Sequence, residues 1–313
     1  MTDALIELAE NTGLISGPSF AEFPKIAPIH TAFRMINLRN GTVPPAGAMK
    51  HRVSFGAARN RNEAARLSGF EAIERYALQY SADSPETRES LISSDGATHV
   101  LPNDALALGA PGSDGQTTSK GAAAGPTHEA AALWAALECL EHALGPRGFD
   151  QVLPETALPR DLTRWLNTYL RHLSVHVRMV SGVGLLLRAV CADADGGRPT
   201  YGTAFSTDLA TGVWHAACEA VVSWRNMVTL DHTGVTDDTM NEEQARLFRL
   251  YRGARTDRPA TPASSFDVDA WQSPDPTLMT VLTATANAAG RPIAIFDMTA
   301  PEIPLPVVKA VPV

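Results

Sequence analysis

An α+β fold is predicted from three observations. Several stretches place apolar residues at helical spacing behind polar cap residues, short apolar or β-branched runs lie between them, and Gly- and Pro-rich turns separate the two kinds of segment. The chain has 313 residues, 44% hydrophobic and 19% charged, enough for one large domain or two small ones. No apolar run reaches the ~18 residues a membrane span needs, and the longest candidate, "VSGVGLLLRAVC", is broken by Arg188.

In chain order, residues 1–50 read as a short helix followed by Pro-punctuated extended segments that include "AFRMINL". Residues 51–80 give a strand, "RVSFG", a polar turn and a helix. Residues 83–120 are rich in Ser, Thr, Asp, Gly and Pro and read as a mobile loop. A helix covers about 128–144 and ends before "GPRG"; 158–172 is also helical. "VHVRMV" and "GLLLRAVCA" read as strands, and a helix follows over about 209–226. Residues 231–276 form a variable insertion with a charged helix, "NEEQARLFRLYR". The chain closes with a helix, "TLMTVLTATANAAG", a strand, "PIAIFDMT", and a Pro-spaced apolar tail.

Composition narrows the function classes. The net charge of -8, without a Lys/Arg stripe interleaved with aromatics, argues against a nucleic-acid surface. Cys139, Cys191 and Cys218 sit far apart in apolar runs and read as buried thiols of a cytoplasmic protein. The acidic N-terminus, "MTDALIELAENTG", lacks a signal-peptide core.

Three helices share one layout. Each has a candidate N-cap (Asn60, Thr127, Asp208), and eleven residues after each cap stands a glutamate (Glu71, Glu138, Glu219). Eleven residues is about three turns, so cap and glutamate share a face. Two of the helices add a second glutamate three residues on, Glu74 and Glu141, and basic or titratable residues follow: Arg75, His142 and, further along, Arg225. The flanks, "AAALWAAL" and "VWHAACEAVV", are small and apolar. Carboxylates on such helices need cations or donors, because an unpaired buried charge is costly. Arginines of neighbouring helices satisfy that need; so does a Mg²⁺ site of several carboxylates facing phosphates.

At these residues the sequence resembles the YcaO family of ATP-dependent enzymes that modify peptide backbone amides. "SFGAARNRNEAARLSGFEAIERYA" resembles the family's strand ending in G-K-G followed by an E-a-i-E-R helix. "SKGAAAGPTHEAAALWAALECLEH" resembles its S-N-G block with an E-x-x-E-R helix, and "GTAFSTDLATGVWHAACEAVVSWR" its third block. "IAIFDMTAPEIPLPVVKAVPV" is similar to the near-terminal strand and Pro-containing run. The blocks keep family order over roughly residues 12–313.

The resemblance implies one YcaO-like domain over 1–313: mixed sheets flanked by helices, with a nucleotide and Mg²⁺ cleft between them. It implies that Glu71, Glu74, Glu138 and Glu141 are catalytic and hold Mg²⁺ against ATP. Arg75, Ser119, Lys120, His142, Glu219 and Arg225 fall on its nucleotide side. The implied activity is O-phosphorylation of a backbone amide, giving an azoline, thioamide or amidine in a ribosomally made, modified peptide. A precursor peptide is the implied substrate, a separate leader-binding or sulfur-donor protein a candidate partner, and a homodimer the implied assembly. Neither nucleic acid nor membrane is expected.

The sequence also departs from the pattern. Ala57 and Ala58 replace the lysine and second glycine of G-K-G, and Leu67 replaces a serine, with Ser68 beside it. Lys120 replaces an asparagine, His142 an arginine, and Val222 and Ser223 occupy the places of a glutamine. The P-x-P-x-P ending is absent. Arg59, Arg61 or Lys120 are candidate substitutes at the phosphates; the alternative is a catalytically lapsed scaffold that binds a precursor peptide or partner subunit.

A zinc site at His172 and His176 is disfavoured, since in a strand residues four apart are separated by about 13 Å. G-x-S-x-G and P-loop patterns are missing. Trp134, Trp214, Trp224 and His215 read as core residues. The tail "PLPVVKAVPV" reads as packed or lying in a cleft; if it reaches the active site, its deletion impairs turnover more than folding, and unchanged turnover places it as edge packing.

Overall fold

Polar caps start the helices where the periodicity places them. Asn60 Oδ1 accepts the Glu63 N–H at 2.9 Å, Thr127 Oγ1 the Ala130 N–H at 3.2 Å, and Asp208 Oδ2 the Thr211 N–H at 2.8 Å. The computed structural model describes residues 2–21, 23, 27–43, 52–111, 117–233, 242–254 and 264–313. Parts of the expected loop (112–116) and insertion (234–241 and 255–263) lie outside the described residues.

In chain order the elements are α1 (Thr2–Asn11), β1 (Ser19–Ala21), β2 (His30–Met35), β3 (Val53–Ala58) and α2 (Arg61–Ala77). Then come β4 (Thr87–Ser93), β5 (Val100–Pro102), α3 (Asn103–Leu106), β6 (Ala122–Ala124) and α4 (His128–Leu144). The middle of the chain gives β7 (Gln151–Val152), a 3₁₀ turn (Glu155–Ala157), α5 (Arg160–Asn167), β8 (Arg171–Val180), β9 (Gly184–Asp193), β10 (Thr200–Ser206) and α6 (Leu209–His232). The last elements are α7 (Glu242–Gly253), β11 (Ser264–Ser265), α8 (Leu278–Ala289), β12 (Ile293–Asp297) and β13 (Val307–Pro312).

These elements divide between two compact units. The first comprises Met1–Glu22, His30–Gly145 and Pro276–Val313; the second comprises Phe23–Ile29 and Pro146–Asp275. The first holds two sheets, ordered β1-β2-β3 and β5-β4-β12-β13-β6. Helix α2 packs on β2 and β3 and also reaches β6, while α4 packs on α8, β13 and β6. Its core gathers Ile36, Ile73, Tyr76, Leu78, Leu106, Phe296 and Val307, all at most 4% exposed. The second unit holds the sheet β10-β9-β8-β7-β11, with α6 against β10 and β9. There Arg171 is buried beneath Trp224, donating to Asp193 at 2.7 Å and to the Cys191 and Arg198 carbonyls at 2.6 and 3.0 Å. That many charge-assisted bonds offset the cost of burying a guanidinium.

Two glycines set how closely strand and helix approach. A Cβ on Gly56 of β3 would lie 2.2 Å from the Ala64 carbonyl oxygen of α2. A Cβ on Gly202 of β10 would lie 2.1 Å from that of Ala216 on α6. Only a residue without a side chain lets each helix lie this near its preceding strand.

Several expectations are corrected. The expected loop of 83–120 contains β4, β5 and α3; β4 pairs with β12, a partner some two hundred residues away that no local pattern announces. The tail packs, as its apolar composition suggests: β13 runs between β12 and β6, bonded to both. Trp134 is 49% exposed and His215 is exposed rather than core. Trp214 is buried, and Trp224 joins Trp165 and Tyr169 in an edge-to-face cluster with ring centroids 5.1–5.9 Å apart. His172 and His176 both lie on β8, as the strand reading requires. All three cysteines are buried and free. Among the described residues no helix is long and apolar enough to cross a membrane.

Candidate functional site

The shared spacing of the three helices has a structural counterpart. In each, the glutamate three turns beyond the cap turns back and accepts a backbone N–H from the segment preceding its own helix. Phe55 of β3 donates to Glu71 Oε2 at 2.7 Å, Gly121 before β6 to Glu138 Oε1 at 3.3 Å, and Thr203 of β10 to Glu219 Oε2 at 2.6 Å. Each glutamate thus ties a helix to its strand while keeping lone pairs for another partner.

The first unit brings two of these helices together. Glu74, on the half-buried face of α2, has its pKa raised well above the ordinary carboxylate value. Burial is the main cause, and the charges of Glu138 and Glu71 add to it; Arg75 and the Ala124 backbone offset only part. Glu71 is raised as well, again by burial first, against the lowering effect of Arg75 and Phe55, with Glu138 adding to the rise. Glu138 acts on both, so α2 and α4 present three carboxylates close enough to repel one another. Arg75 answers only part of that charge: Nη2 lies 2.7 Å from Glu71 Oε1, and Nη1 donates to the Val53 carbonyl at 2.9 Å.

Around Glu138 stand further residues named from the sequence. His142, one turn on, places Nε2 3.7 Å from Glu138 Oε1. Ser119 and Lys120 occupy the turn just before Gly121, closed by the Ala122 N–H donating to the Ser119 carbonyl at 3.0 Å. Glu141 is half-buried one residue before His142, and the Glu138 charge raises the pKa of both α2 glutamates. Arg59 is exposed, and Arg61 stacks 4.1 Å over the Phe20 ring. Glu219 and Arg225 belong to α6 of the second unit. There Glu219 is exposed, and Arg225 lies 4.9 Å over the Phe23 ring and donates to Asn226 at 3.2 Å. Burial lowers the Arg225 pKa.

One residue beside Glu138 escaped the sequence reading. Lys309, on β13, is 3% exposed, and burial pulls its pKa down to about 8 while the Glu138 charge pushes it up. Its one sequence signal is a single lysine inside the apolar run "PLPVVKAVPV".

Among the described residues no three His, Cys, Asp or Glu side chains are gathered tightly enough to cage a metal ion. The donor set nevertheless suits Mg²⁺, which is held by one or two carboxylates together with phosphate and water oxygens rather than by an all-protein cage. Burial first and the Glu138 charge second raise both Glu71 and Glu74, and a cation bound there would lower both. The second unit also has an open cavity of about 550 Å³, lined by Pro154, Thr156, Phe266, Asp267 and Asp269 among others, and it contains none of the predicted site residues.

Comparison with known proteins decides the family. The family model described as YcaO cyclodehydratase, ATP- and Mg²⁺-binding, matches residues 92–312. The chain belongs to the YcaO family. Solved structures share its fold. A heterocyclase in complex with substrate and cofactor matches with a TM-score of 0.72 at 15% identity, over 98% of this chain and 52% of its own. This chain therefore spans about half the length of that heterocyclase. A YcaO from Methanopyrus kandleri, bound with AMPPCP and Mg²⁺, matches with a TM-score of 0.68 at 15% identity, over 99% of this chain and 90% of its own. The E. coli microcin synthetase McbBCD complex matches with a TM-score of 0.64 at 9% identity, over 94% of this chain and 87% of its own. A search of curated proteins finds no match. These YcaO matches extend over both compact units.

Proposed function

We propose that this YcaO protein is an ATP- and Mg²⁺-dependent enzyme that activates a peptide backbone amide by O-phosphorylation, in the maturation of a ribosomally made peptide. The observation that carries the reading is that two helices of one unit supply Glu71, Glu74 and Glu138, with the Glu138 charge adding to the burial that raises both α2 carboxylates. Such an arrangement costs stability in the metal-free protein and is compensated when a cation binds. Bound Mg²⁺ would neutralise charge on the transferring phosphoryl group.

The chain's own residues supply the rest. Glu71, Glu74, Glu138 and Glu141 are the carboxylates from which the one or two that reach the metal would come, alongside phosphate and water oxygens. Arg75 fixes the Glu71 carboxylate through their 2.7 Å ion pair, so that one oxygen stays oriented. The turn at Ser119 and Lys120 and the side chain of His142 face the phosphates in this reading, taking over from the missing lysine at Ala57. Glu219 and Arg225, on α6 of the second unit, are assigned to the nucleotide side by the family resemblance alone. An amide oxygen is a poor leaving group. Phosphorylating it after a nucleophile has added to the carbonyl lets it depart as phosphate, leaving an azoline, thioamide or amidine according to the nucleophile. A precursor peptide is the substrate, with a leader-binding or sulfur-donor protein as its companion and a homodimer as the assembly. Both units then serve as one YcaO domain in a cytoplasmic enzyme.

A second reading rests on one specific observation: β3 ends in Ala57 and Ala58 where the family pattern has a lysine and a glycine. In that reading the protein is a scaffold for a precursor peptide or an active partner. Mass spectrometry of a candidate peptide incubated with protein, ATP and Mg²⁺ separates the two. Loss of water or exchange of oxygen for sulfur supports the enzyme; an unchanged peptide that still binds supports the scaffold.

A further inference from the structure

A buried ammonium on an otherwise apolar strand needs a physical reason, because desolvating it costs several kcal/mol unless it is well bonded. Lys309 is bonded in a particular way. Its Nζ donates to the Leu106 carbonyl at 2.7 Å and to the Thr118 carbonyl at 2.8 Å, two backbone groups on either side of the chain between α3 and β6.

Each carbonyl leads to one of the glutamate helices. Leu106 ends α3, and two residues on, the Leu108 N–H bonds the Leu78 carbonyl at 2.7 Å while the Tyr80 N–H bonds the Leu108 carbonyl at 2.8 Å. That side is therefore fixed to the C-terminal end of α2, the helix of Glu71 and Glu74. Thr118 opens the turn of Ser119 and Lys120, whose last residue, Gly121, donates to Glu138 at 3.3 Å. The residue after the lysine reinforces this: the Ala310 N–H donates to the Gly121 carbonyl at 2.7 Å. Strand β13 thus holds the turn by backbone at Gly121 and by side chain at Thr118.

We infer that Lys309 is a positioning residue for the nucleotide site, a clip that fixes the turn of residues 118–121 and through Gly121 orients the Glu138 carboxylate. The role rests on the proposed Mg²⁺ and ATP reading of that site. In this role Lys309 acts through the Gly121 backbone N–H. An unbranched apolar side chain such as methionine, one atom shorter, would fill most of the same space and remove the Nζ donor from both carbonyls.

The test compares Lys309→Met with Lys309→Gln, whose carboxamide retains N–H donors. Two readouts are used: amide hydrogen exchange of the metal-free protein, and calorimetric titration with AMPPCP and Mg²⁺. Lys309→Met is expected to speed exchange of the peptide covering residues 117–122 at least about tenfold, with β12 protection retained, and to weaken nucleotide binding about tenfold. Lys309→Gln is expected within about threefold of wild type in both. Unchanged exchange at 117–122 in Lys309→Met, or a uniform loss of protection through β12 and β13, would overturn the inference. If Lys309→Met does not fold, Lys309→Leu takes its place: faster exchange at 117–122 with β12 protected supports the clip, and unchanged exchange there contradicts it. A wild-type protein that binds no nucleotide refutes the functional reading, and the exchange arm still reports separately on the clip.

Discussion

Glu71 accepts a 2.7 Å hydrogen bond from the backbone N–H of Phe55, so the carboxylate at the third turn of α2 is joined to the strand that leads into that helix. Glu138 with Gly121 and Glu219 with Thr203 repeat the relationship. What differs among the three is surroundings. Glu71 and Glu138 share a region with Glu74 and load it with negative charge, while Glu219 sits exposed on α6.

That charge makes stability depend on pH in a defined direction. The folded-state pKa of Glu74 lies above its unfolded value, so the native protein binds more protons in the interval between them. The contribution is present below the unfolded pKa and is lost as pH rises through the folded one. Glu74→Gln removes that loss. In metal-free buffer at pH 8 its Tm should exceed wild type by a few °C, about what 1–2 kcal/mol gives in a protein of this size, with the gap closing near pH 4. Scanning calorimetry at both pH values checks this. The same variant should lose Mg²⁺-dependent nucleotide binding, so a gain in stability accompanies a loss of function.

The close approach of strand and helix is testable by adding one methyl group. Gly202→Ala places a Cβ 2.1 Å from the Ala216 carbonyl oxygen and 2.5 Å from the Ala220 nitrogen, both main-chain atoms of α6 that cannot rotate away. A loss of about 2 kcal/mol or more is expected in denaturant unfolding. Gly17→Ala, which meets nothing within 4 Å, should stay within about 0.5 kcal/mol of wild type.

His142 stands where the family pattern has an arginine, with Nε2 3.7 Å from Glu138 Oε1. Arginine at this position keeps a donor beside Glu138 and makes its charge permanent. His142→Arg should therefore retain or tighten nucleotide binding measured by calorimetry; weaker binding would assign the imidazole a role of its own.

Truncation at the C-terminus is expected to act on folding, since β13 is an interior strand of its sheet. Because β13 is bonded to β12 on one side and β6 on the other, removing residues 307–313 opens the sheet in the middle and exposes Phe296 and Ile295. The shortened chain is expected to be insoluble or to lack a cooperative melting transition, whereas a soluble, cooperatively folding product would contradict the placement of β13.

The sequence makes the helices legible because cap, apolar period and glutamate spacing are local signals, and α2, α4 and α8 begin where those signals place them. Helix α6 runs on to His232, beyond its expected end near 226, because no glycine or proline stops it there. Strands held by distant partners were not legible: β4 depends on β12, and the three-residue β6 depends on β13. The candidate site shows the same division. Glu71, Glu74 and Glu138 follow from spacing, yet their mutual repulsion depends on how α2 and α4 are arranged. Lys309 was hidden because its acceptors, Leu106 and Thr118, lie 203 and 191 residues away along the chain.

Calorimetric titration of the wild-type protein with ATP, with and without Mg²⁺, tests the central claim most directly. The account predicts binding that requires Mg²⁺ and disappears in Glu74→Gln. No binding up to millimolar nucleotide, or binding equally strong without the metal, would contradict it.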